Sequence, residues 1–187
     1  MSRTHTKTLI AKFEGMPVGI QDYFSPCHKL MSDADIPWDV VISYMFSKIE
    51  AAQRATLYVG IRRKHKCQKD LVWKAIDREP LYKDEFRVFF KKVFGKSISK
   101  KTDEILLPAT TVRNKIMHGY GASDAEKKKA ISAIMDYCTE FNNEMSDIGG
   151  FQPFGSLQGA IGASKFLDKS TTKWMLIGMG FFKSPNA

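Results

Sequence analysis

The sequence predicts an all-α protein. Apolar residues recur at intervals of three and four positions through several long segments, which is typical of amphipathic helices. No segment before residue 150 sustains the alternation of apolar and polar residues that marks a half-buried strand. Helix-capping signals separate the apolar runs, and the clearest is Ser123-Asp124-Ala125-Glu126, which matches a capping box. The body of the chain is therefore expected to be one domain built of helices.

The N-terminal residues 1–34 are expected to be irregular, because glycines and prolines interrupt any long period there. The first helix is predicted to begin at Asp35, with Pro37 in its first turn. From Trp38 the apolar positions keep a helical spacing to about Arg62. This first helix is the longest that the sequence predicts.

Four further helices are predicted after the first. Gly95 is expected to end one of them in the C′ position, and Pro108 is expected to kink another or to set its effective start. The predicted ranges are Gln68–Asp77, Lys83–Phe94, 102–118 and Ala125–Met145.

The composition changes at Gly149. The last 39 residues hold seven of the 13 glycines together with six spaced aromatic residues. Aromatic rings favour burial, so this tail is expected to pack on the helical body or on a partner, with short extended pieces in it. The predicted organisation is an irregular N-terminal segment over 1–34, a helical domain over 35–148 and a glycine- and aromatic-rich tail over 149–187.

Basic residues are concentrated in one stretch of the chain. Between Ile61 and Lys101 there are 14 lysines and arginines against 5 acidic residues, whereas the other positions hold 15 of each and balance. A concentrated basic surface favours a polyanion through the release of condensed counterions, and it speeds encounter by long-range attraction. A helix surface that lysines keep solvated has the same composition, so charge alone does not decide between the two.

The three cysteines, Cys27, Cys67 and Cys138, lack the spacing of a zinc site or a disulfide framework. No metal and no cofactor are expected. No run approaches the roughly 18 apolar residues of a membrane span. The start of the chain has no apolar core of a secretory signal. A cytoplasmic protein with no membrane partner is therefore expected.

The string from Thr111 to Tyr120 carries the strongest functional signal. It places Arg113, Asn114, His118 and Tyr120 close together at the end of a predicted helix. Arginine offers a fixed fork of donors to a phosphate, and histidine exchanges a proton near neutral pH. A phosphate clamp beside a proton-transfer group can cleave RNA through the 2′-hydroxyl of the RNA itself, without a metal. The string therefore predicts a ribonuclease, although histidine and glycine after a helix also form an ordinary C-cap.

Helix geometry limits how these side chains converge. Residues four apart share a helix face, so Asn114 and His118 point the same way. Arg113 and His118, five apart, are separated by about 140° around the helix axis. Either the long arginine side chain reaches around the helix, or two protomers each contribute across a two-fold axis. The second arrangement predicts an obligatory dimer with a composite site.

Other residues of the basic stretch and of the motif are assigned supporting roles. Arg62, Arg63, Lys64 and Lys66 are predicted to contact the RNA backbone and guide it to the site, unless they are simply the solvated end of a helix. Lys115 is given the same RNA-binding role.

The pattern of Arg113, Asn114 and His118 resembles the signature of the HEPN superfamily, which is an arginine, a polar residue, and a histidine four to six residues after the arginine. Tyr120 extends the resemblance to the Arg-x4-His-x-Tyr form of HEPN toxins that are encoded beside a minimal nucleotidyltransferase. The resemblance implies an antiparallel helical bundle and a homodimer whose motif helices face each other. It also implies a metal-independent endoribonuclease that leaves a 2′,3′-cyclic phosphate or 3′-phosphate and a 5′-hydroxyl.

In the toxin branch, a partner antitoxin attaches adenylate to the tyrosine. Tyr120 could therefore accept an adenylate or contact RNA, or it could only pack at the loop. The expected partners are RNA, a second copy of the chain, and an antitoxin or larger defence-system component. The leading hypothesis is an endoribonuclease in microbial defence or toxin–antitoxin growth control. The alternative is a non-catalytic HEPN module that binds nucleotide or RNA or mediates assembly, and exposure of Arg113 and His118 distinguishes the two.

Overall fold

The computed structural model of this chain describes residues 3–81, 83–162 and 165–182. Within these ranges the chain forms nine α-helices and no strand, so the prediction of an all-α fold is confirmed. None of the helices in the described part is both long and apolar enough to cross a membrane. The helices are α1 (Arg3–Glu14), α2 (Val18–Tyr23), α3 (Cys27–Ser32), α4 (Trp38–His65), α5 (Lys69–Arg78), α6 (Lys83–Phe94), α7 (Lys100–Met117), α8 (Asp124–Gly149) and α9 (Lys169–Gly178).

The N-terminal segment is helical, and the prediction of an irregular stretch over residues 1–34 was wrong. Pro17 and Pro26 do not break helices there, because they are the N-caps of α2 and α3. Helix α1 packs on α8 and α3 packs on α4, so these short helices share the core of the longer ones. The missed signal is the spacing of three or four between buried apolar residues, which are Leu9, Phe13, Met16, Ile20, Phe24, Cys27 and Met31.

Helix α4 lies at the centre of the fold and contacts α3, α5, α6, α7 and α8. It begins at Trp38, three residues after the predicted start at Asp35, because the extended Pro37 is its N-cap and not part of its first turn. It ends at His65, three residues beyond the predicted end. Lys66 follows in a left-handed conformation with φ 55°. Helices α6 and α7, which provide the other walls of the candidate site, both contact this long helix.

Helix α6 has the predicted bounds, and α5 begins and ends one residue later than predicted. Helix α6 approaches α4 closely at Gly60. A β-carbon at Gly60 would lie 2.5 Å from the ring of Phe94 and 2.7 Å from a methyl group of Val93. The packing of α6 on α4 therefore requires a glycine at this position.

Helices α7 and α8 form an antiparallel pair, and α7 packs more extensively on α8 than on any other helix. Lys101 pairs with Glu140 at 2.8 Å near one end, and Lys115 pairs with Glu126 at 2.9 Å near the other. The capping box that the sequence predicts at the start of α8 is present between Ser123 and Glu126. The turn between the two helices places the functional string at one end of this pair.

Helix α7 begins at Lys100, two residues before the predicted start. Ser99 is its N-cap, because the Ser99 side chain accepts a hydrogen bond from the N–H of Thr102. Glu144 on α8 accepts further hydrogen bonds from the Ser99 N–H at 2.6 Å and the Thr102 hydroxyl at 2.5 Å. Pro108 lies within the helix, which continues on both sides of it.

The C-terminal tail folds against the helices through Asn142 of α8. Its side-chain nitrogen donates to the carbonyl of Phe154 at 3.0 Å, and its side-chain oxygen accepts from the N–H of Phe154 at 2.8 Å. The Phe154 ring stacks on Phe24 with 5.8 Å between the ring centres. Helix α9, which was not predicted, then packs beside α5, where the Thr172 hydroxyl accepts from the N–H of Gln68. No described residue of the tail lies in a strand.

Candidate active site

Helix α7 ends in a Schellman motif formed by the residues that carry the functional signal. His118 is the C-cap, and Gly119 follows with φ +73°. The N–H of Gly119 donates to the carbonyl of Ile116 at 3.1 Å, and the N–H of Tyr120 donates to the carbonyl of Lys115 at 2.8 Å. These bonds fix the direction in which the chain leaves the helix, and they hold His118 and Tyr120 at its tip.

The Arg113 side chain extends from α7 to α4. Its Nη2 donates to Oε1 of Glu50 at 2.8 Å, and its guanidinium carbon lies 5.2 Å from the ring centre of Phe46. The side chains are 32% exposed for Arg113 and 48% exposed for Glu50, so solvent reaches both charges. A guanidinium carries five N–H donors, and an ion pair at Nη2 leaves donors for a second anion.

Arg113 and Asn114 line a cleft of about 260 Å³ between α4, α7 and the residues around the start of α6. Two carboxylates, those of Glu50 and Asp84, face the same space as the guanidinium. A phosphate that enters this cleft would have to compete with Glu50 for the arginine. The remaining wall is formed by Phe46, Ile49, Gln53, Leu81, Leu106 and Thr110.

His118 is not among the residues that line this cleft. It is exposed at the C-cap of α7, with its ring centre 6.5 Å from that of Tyr120, which is 70% exposed. One chain therefore brings Arg113 and Asn114 together and leaves His118 and Tyr120 outside the cleft. Arg113 turns toward α4 rather than around α7 toward the histidine.

Lys115 is held by the cap of the next helix. Its Nζ donates to Oε1 of Glu126 at 2.9 Å. This hydrogen bond, followed by those from the Ser123 main chain and side chain, lowers the pKa of Glu126 to about 2. The predicted contact of Lys115 with RNA stays a prediction. An RNA phosphate would have to compete with Glu126 for this lysine.

Basic residues at the end of α4 lie against the C-terminal ends of two other helices. Arg63 Nη1 donates to the carbonyl of Gly150, directly after α8, at 3.0 Å. Lys64 Nζ donates to the carbonyl of Phe94, the last residue of α6, at 3.3 Å, and the ring of His65 contacts the carbonyl one residue earlier at 2.8 Å. Positive charge at a helix C-terminus is stabilising, so part of the basic stretch is used inside the fold.

Arg62 and Lys66 hold the tail. Arg62 Nη1 donates to the carbonyl of Cys67 at 2.9 Å, and the guanidinium carbon lies 3.9 Å from the ring centre of Phe166. The carbonyl of Lys66 accepts from the N–H of Leu167 at 2.8 Å. All four residues of the basic cluster make contacts within the fold. Their predicted RNA-binding role stays a prediction, and it concerns Arg62, Arg63, Lys64 and Lys66.

Of the cleft residues, only Arg113 and Asn114 were predicted from the sequence, and Glu50 is the missed residue that contacts Arg113 directly. It lies 63 positions before Arg113, and an isolated carboxylate on a long amphipathic helix has the appearance of an ordinary solvent-facing residue. The available signal is its position beside the buried face of α4, one turn after Phe46. A polar residue at such an edge is well placed to meet a neighbouring helix.

The outer face of α7 has no partner among the described residues of this chain. Leu107 is 52% exposed and Met117 is 65% exposed, with the exposed Thr111 between them and Asn114 at the rim of the Arg113 cleft. These positions are three or four residues apart and share one side of the helix. Leu107 and Met117 are therefore accessible for packing against another protein.

Among the described residues, no group of three or more histidine, cysteine or acidic side chains is placed to hold a metal ion. Cys27, Cys67 and Cys138 are all buried and free. Burial raises the pKa of the Cys27 thiol to about 12 and raises the pKa of the Cys138 thiol well above its ordinary value. These cysteines are packing residues of the core.

Comparisons of the chain with protein families, with curated proteins and with solved structures gave no match. The function is therefore inferred from the motif, its geometry and its surroundings.

Proposed function

We propose that the chain is a metal-independent endoribonuclease of HEPN type. The observation that carries the proposal is the placement of Arg113, which lies beside Asn114 in a solvent-open cleft on the helix that ends at an exposed His118. The solvent access of both Arg113 and His118 supports a site that meets a ligand from solution.

Each motif residue has a role in this chemistry. Arg113 binds a phosphate oxygen and neutralises the charge that develops on the pentacovalent phosphorus. A neutral His118 takes the proton of the attacking 2′-hydroxyl, or a protonated His118 gives a proton to the departing 5′-oxygen. The products are a 2′,3′-cyclic phosphate and a 5′-hydroxyl. Asn114 orients the histidine or holds a second phosphate oxygen.

A homodimer accounts for the separation of the two charged groups. If two α7 helices face each other, the arginine of one protomer and the histidine of the other can meet one phosphate across the two-fold axis. The exposed apolar residues Leu107 and Met117 on the outer face of α7 support such an interface. The active site would then be incomplete in the monomer.

The biological setting follows from the family resemblance alone. We propose a cytoplasmic role in defence or in toxin–antitoxin growth control, with an antitoxin or a larger defence-system component as partner. Tyr120, 70% exposed at the helix tip, is accessible to an enzyme that would attach adenylate. The exposed side chain of Tyr120 is equally accessible to RNA.

The ion pair between Arg113 and Glu50 favours a second candidate function. An arginine already neutralised by a carboxylate can serve to hold α7 on α4. In that case the chain is a binding or assembly module, and the motif contributes to an interface or a nucleotide site without cleaving RNA.

The test compares purified wild type with His118→Ala, each incubated with total RNA and with tRNA in excess EDTA. The matched control is His28→Ala, which removes an exposed histidine whose contact is with Glu14 at 3.0 Å, outside the motif. Loss of general acid–base catalysis lowers a rate by roughly 10²–10⁴-fold. We expect that loss for His118→Ala alone, and 5′-hydroxyl ends on the products of the wild type and the control.

Absence of cleavage by the wild type, with RNA still bound, would refute the catalytic proposal and favour the binding module. Equal cleavage by all three proteins would also count against it, because the activity would not depend on His118.

A further inference from the structure

A second pocket lies at the other end of α4, where the tail folds over the end of α8. Its volume is about 460 Å³, within the range of small-ligand sites. We call it the tail pocket. Arg63 and Lys66 supply its charge, Ser156 and Gln158 supply neutral polar groups, and the rest of its lining is Gly150, Phe151, Gly159, Ala160, Ile161 and Gly162.

The loop that forms one wall presents its main chain rather than bulky side chains. Two successive turns close it, with the N–H of Ala160 donating to the carbonyl of Leu157 and the N–H of Gly162 donating to the carbonyl of Gly159, both at 3.1 Å. Gly159 and Gly162 have φ +76° and +71°, and a β-carbon at either position would meet nothing within 4 Å. A ligand can therefore approach the peptide groups of this loop directly.

The charge of the tail pocket favours an anion. Arg63 and Lys66 contribute two positive charges, and no carboxylate is among the lining residues that the structure describes. The C-termini of α4 and α8 point here, and each contributes about half a negative charge. Arg63 already caps the end of α8 through the carbonyl of Gly150, so its positive charge offsets the dipole of that helix.

Arg63 is also oriented for a ligand. Its Nη1 is fixed by the carbonyl of Gly150 at 3.0 Å. The absence of a side chain at Gly150 leaves room for the fork, because a β-carbon there would lie 3.1 Å from Nη2. A guanidinium fixed by one nitrogen offers its remaining donors with little loss of side-chain entropy.

We propose that the tail pocket is a phosphate-binding site, which takes the phosphate group of a nucleotide or of a nucleic-acid strand. It is separate from the Arg113 cleft. Arg63 follows Glu50 by 13 positions on α4, which corresponds to roughly 20 Å along the helix axis. The pocket does not depend on cleavage at the motif, and it can be tested in a protein that cleaves nothing.

The experiment uses three probes on the His118→Ala protein: pyrophosphate and ATP by calorimetry, and a short 2′-O-methyl oligonucleotide by fluorescence anisotropy. The oligonucleotide has no free 2′-hydroxyl, so cleavage cannot interfere. The test variants are Gln158→Glu, which adds a negative charge at an exposed position, and Lys66→Gln, which removes a positive one. The control is Lys29→Gln on α3, near the opposite end of α4.

We expect saturable binding that each test variant weakens about fivefold or more and that Lys29→Gln leaves unchanged. Weakening with pyrophosphate and ATP identifies a nucleotide as the source of the phosphate, and weakening with the oligonucleotide alone identifies a strand. No saturable binding of any probe would overturn the proposal. Binding that either test variant retains at full strength would overturn it as well. If the wild type does not cleave RNA, the interpretation of these binding results does not change.

Discussion

At the scale of single residues, the contact between Arg113 and Glu50 determines what an incoming phosphate meets. The cleft holds one guanidinium and two carboxylates, those of Glu50 and Asp84. Both partners of the ion pair are solvent-exposed, so it adds little to stability and can exchange. Glu50 therefore acts as a competitor for the anion that Arg113 would bind.

Glu50→Gln should strengthen RNA binding. Removal of one negative charge beside the guanidinium is worth about 1 kcal/mol where water screens the pair, or about fivefold in affinity. The dissociation constant is measured with the 2′-O-methyl oligonucleotide on the His118→Ala protein. Glu14→Gln, which alters an exposed carboxylate paired with His28, is the control. Unchanged or weaker binding by Glu50→Gln would show that Glu50 does not compete with phosphate.

Glu126→Gln should reduce the acid sensitivity of the fold. The pKa of Glu126 is lowered from 4.5 to about 2, first by the hydrogen bond from Lys115. A carboxyl group with a lowered folded-state pKa contributes stability above pH 4.5, and this contribution is lost as the pH falls toward 2. Urea unfolding at neutral pH and at pH values between these limits measures it. The wild type should lose more stability than the variant on acidification, and parallel profiles would contradict the assignment.

The motif could be predicted from the sequence because its residues are close together in the chain. Arg113, Asn114 and His118 fall within one helical turn and a half, and helix geometry already separated the arginine from the histidine. Glu50 could not be predicted in the same way. Its partnership with Arg113 depends on how two helices pack, which local spacing does not contain.

At the scale of elements, the helix ends reflect specific capping residues. Ser99 begins α7 two residues early, and the capping box from Ser123 begins α8. Arg63 of α4 donates a hydrogen bond at the C-terminal end of α8, and Lys64 donates one at the C-terminal end of α6. The basic stretch therefore joins helices that are distant in sequence, in addition to any role toward RNA.

Gly60→Ala should destabilise the protein by about 1–3 kcal/mol, because overpacking forces neighbouring groups to move. The new methyl group would collide with Phe94 and Val93, and α4 and α6 would have to separate. The measurement is the free energy of unfolding in urea. Gly121→Ala is the control, since a β-carbon there meets nothing within 4 Å. A change at Gly60 as small as that at Gly121 would contradict the close approach.

Long helices with one regular apolar face were predictable, and short ones were not. The bounds of α6 were predicted correctly, and α4 differed by three residues at each end. Helices α2 and α3 have six residues each, too few for a periodic signal of their own. Their apolar spacing is recognised only when it is followed from α1 to α3 across Pro17 and Pro26.

At the scale of the whole molecule, the dimer that we propose would explain both the exposed α7 face and the separation of Arg113 from His118 in a single chain. His118 at the helix tip and Arg113 in the cleft do not meet within one chain. The proposed dimer makes a prediction that a monomeric enzyme does not share.

An equal mixture of Arg113→Ala and His118→Ala should recover activity. If protomers exchange freely, half of the dimers are mixed, and each mixed dimer has one site with both the arginine and the histidine. The mixture should reach about one quarter of the wild-type rate, whereas each variant alone stays inactive. Cleavage of labelled RNA after co-refolding measures this. A mixture that stays as inactive as its components, while still dimeric, would rule out a composite site.

The hydrogen bonds between Asn142 and Phe154 also bear on the order in which the protein can fold during synthesis. Asn142 is 4% exposed in the finished molecule, and the polar atoms of its side chain find their partners twelve residues further on. Until residue 154 has left the ribosome, the nascent chain must keep this amide solvated and the Phe24 ring uncovered. This part of the core is therefore completed only after residue 154 has emerged.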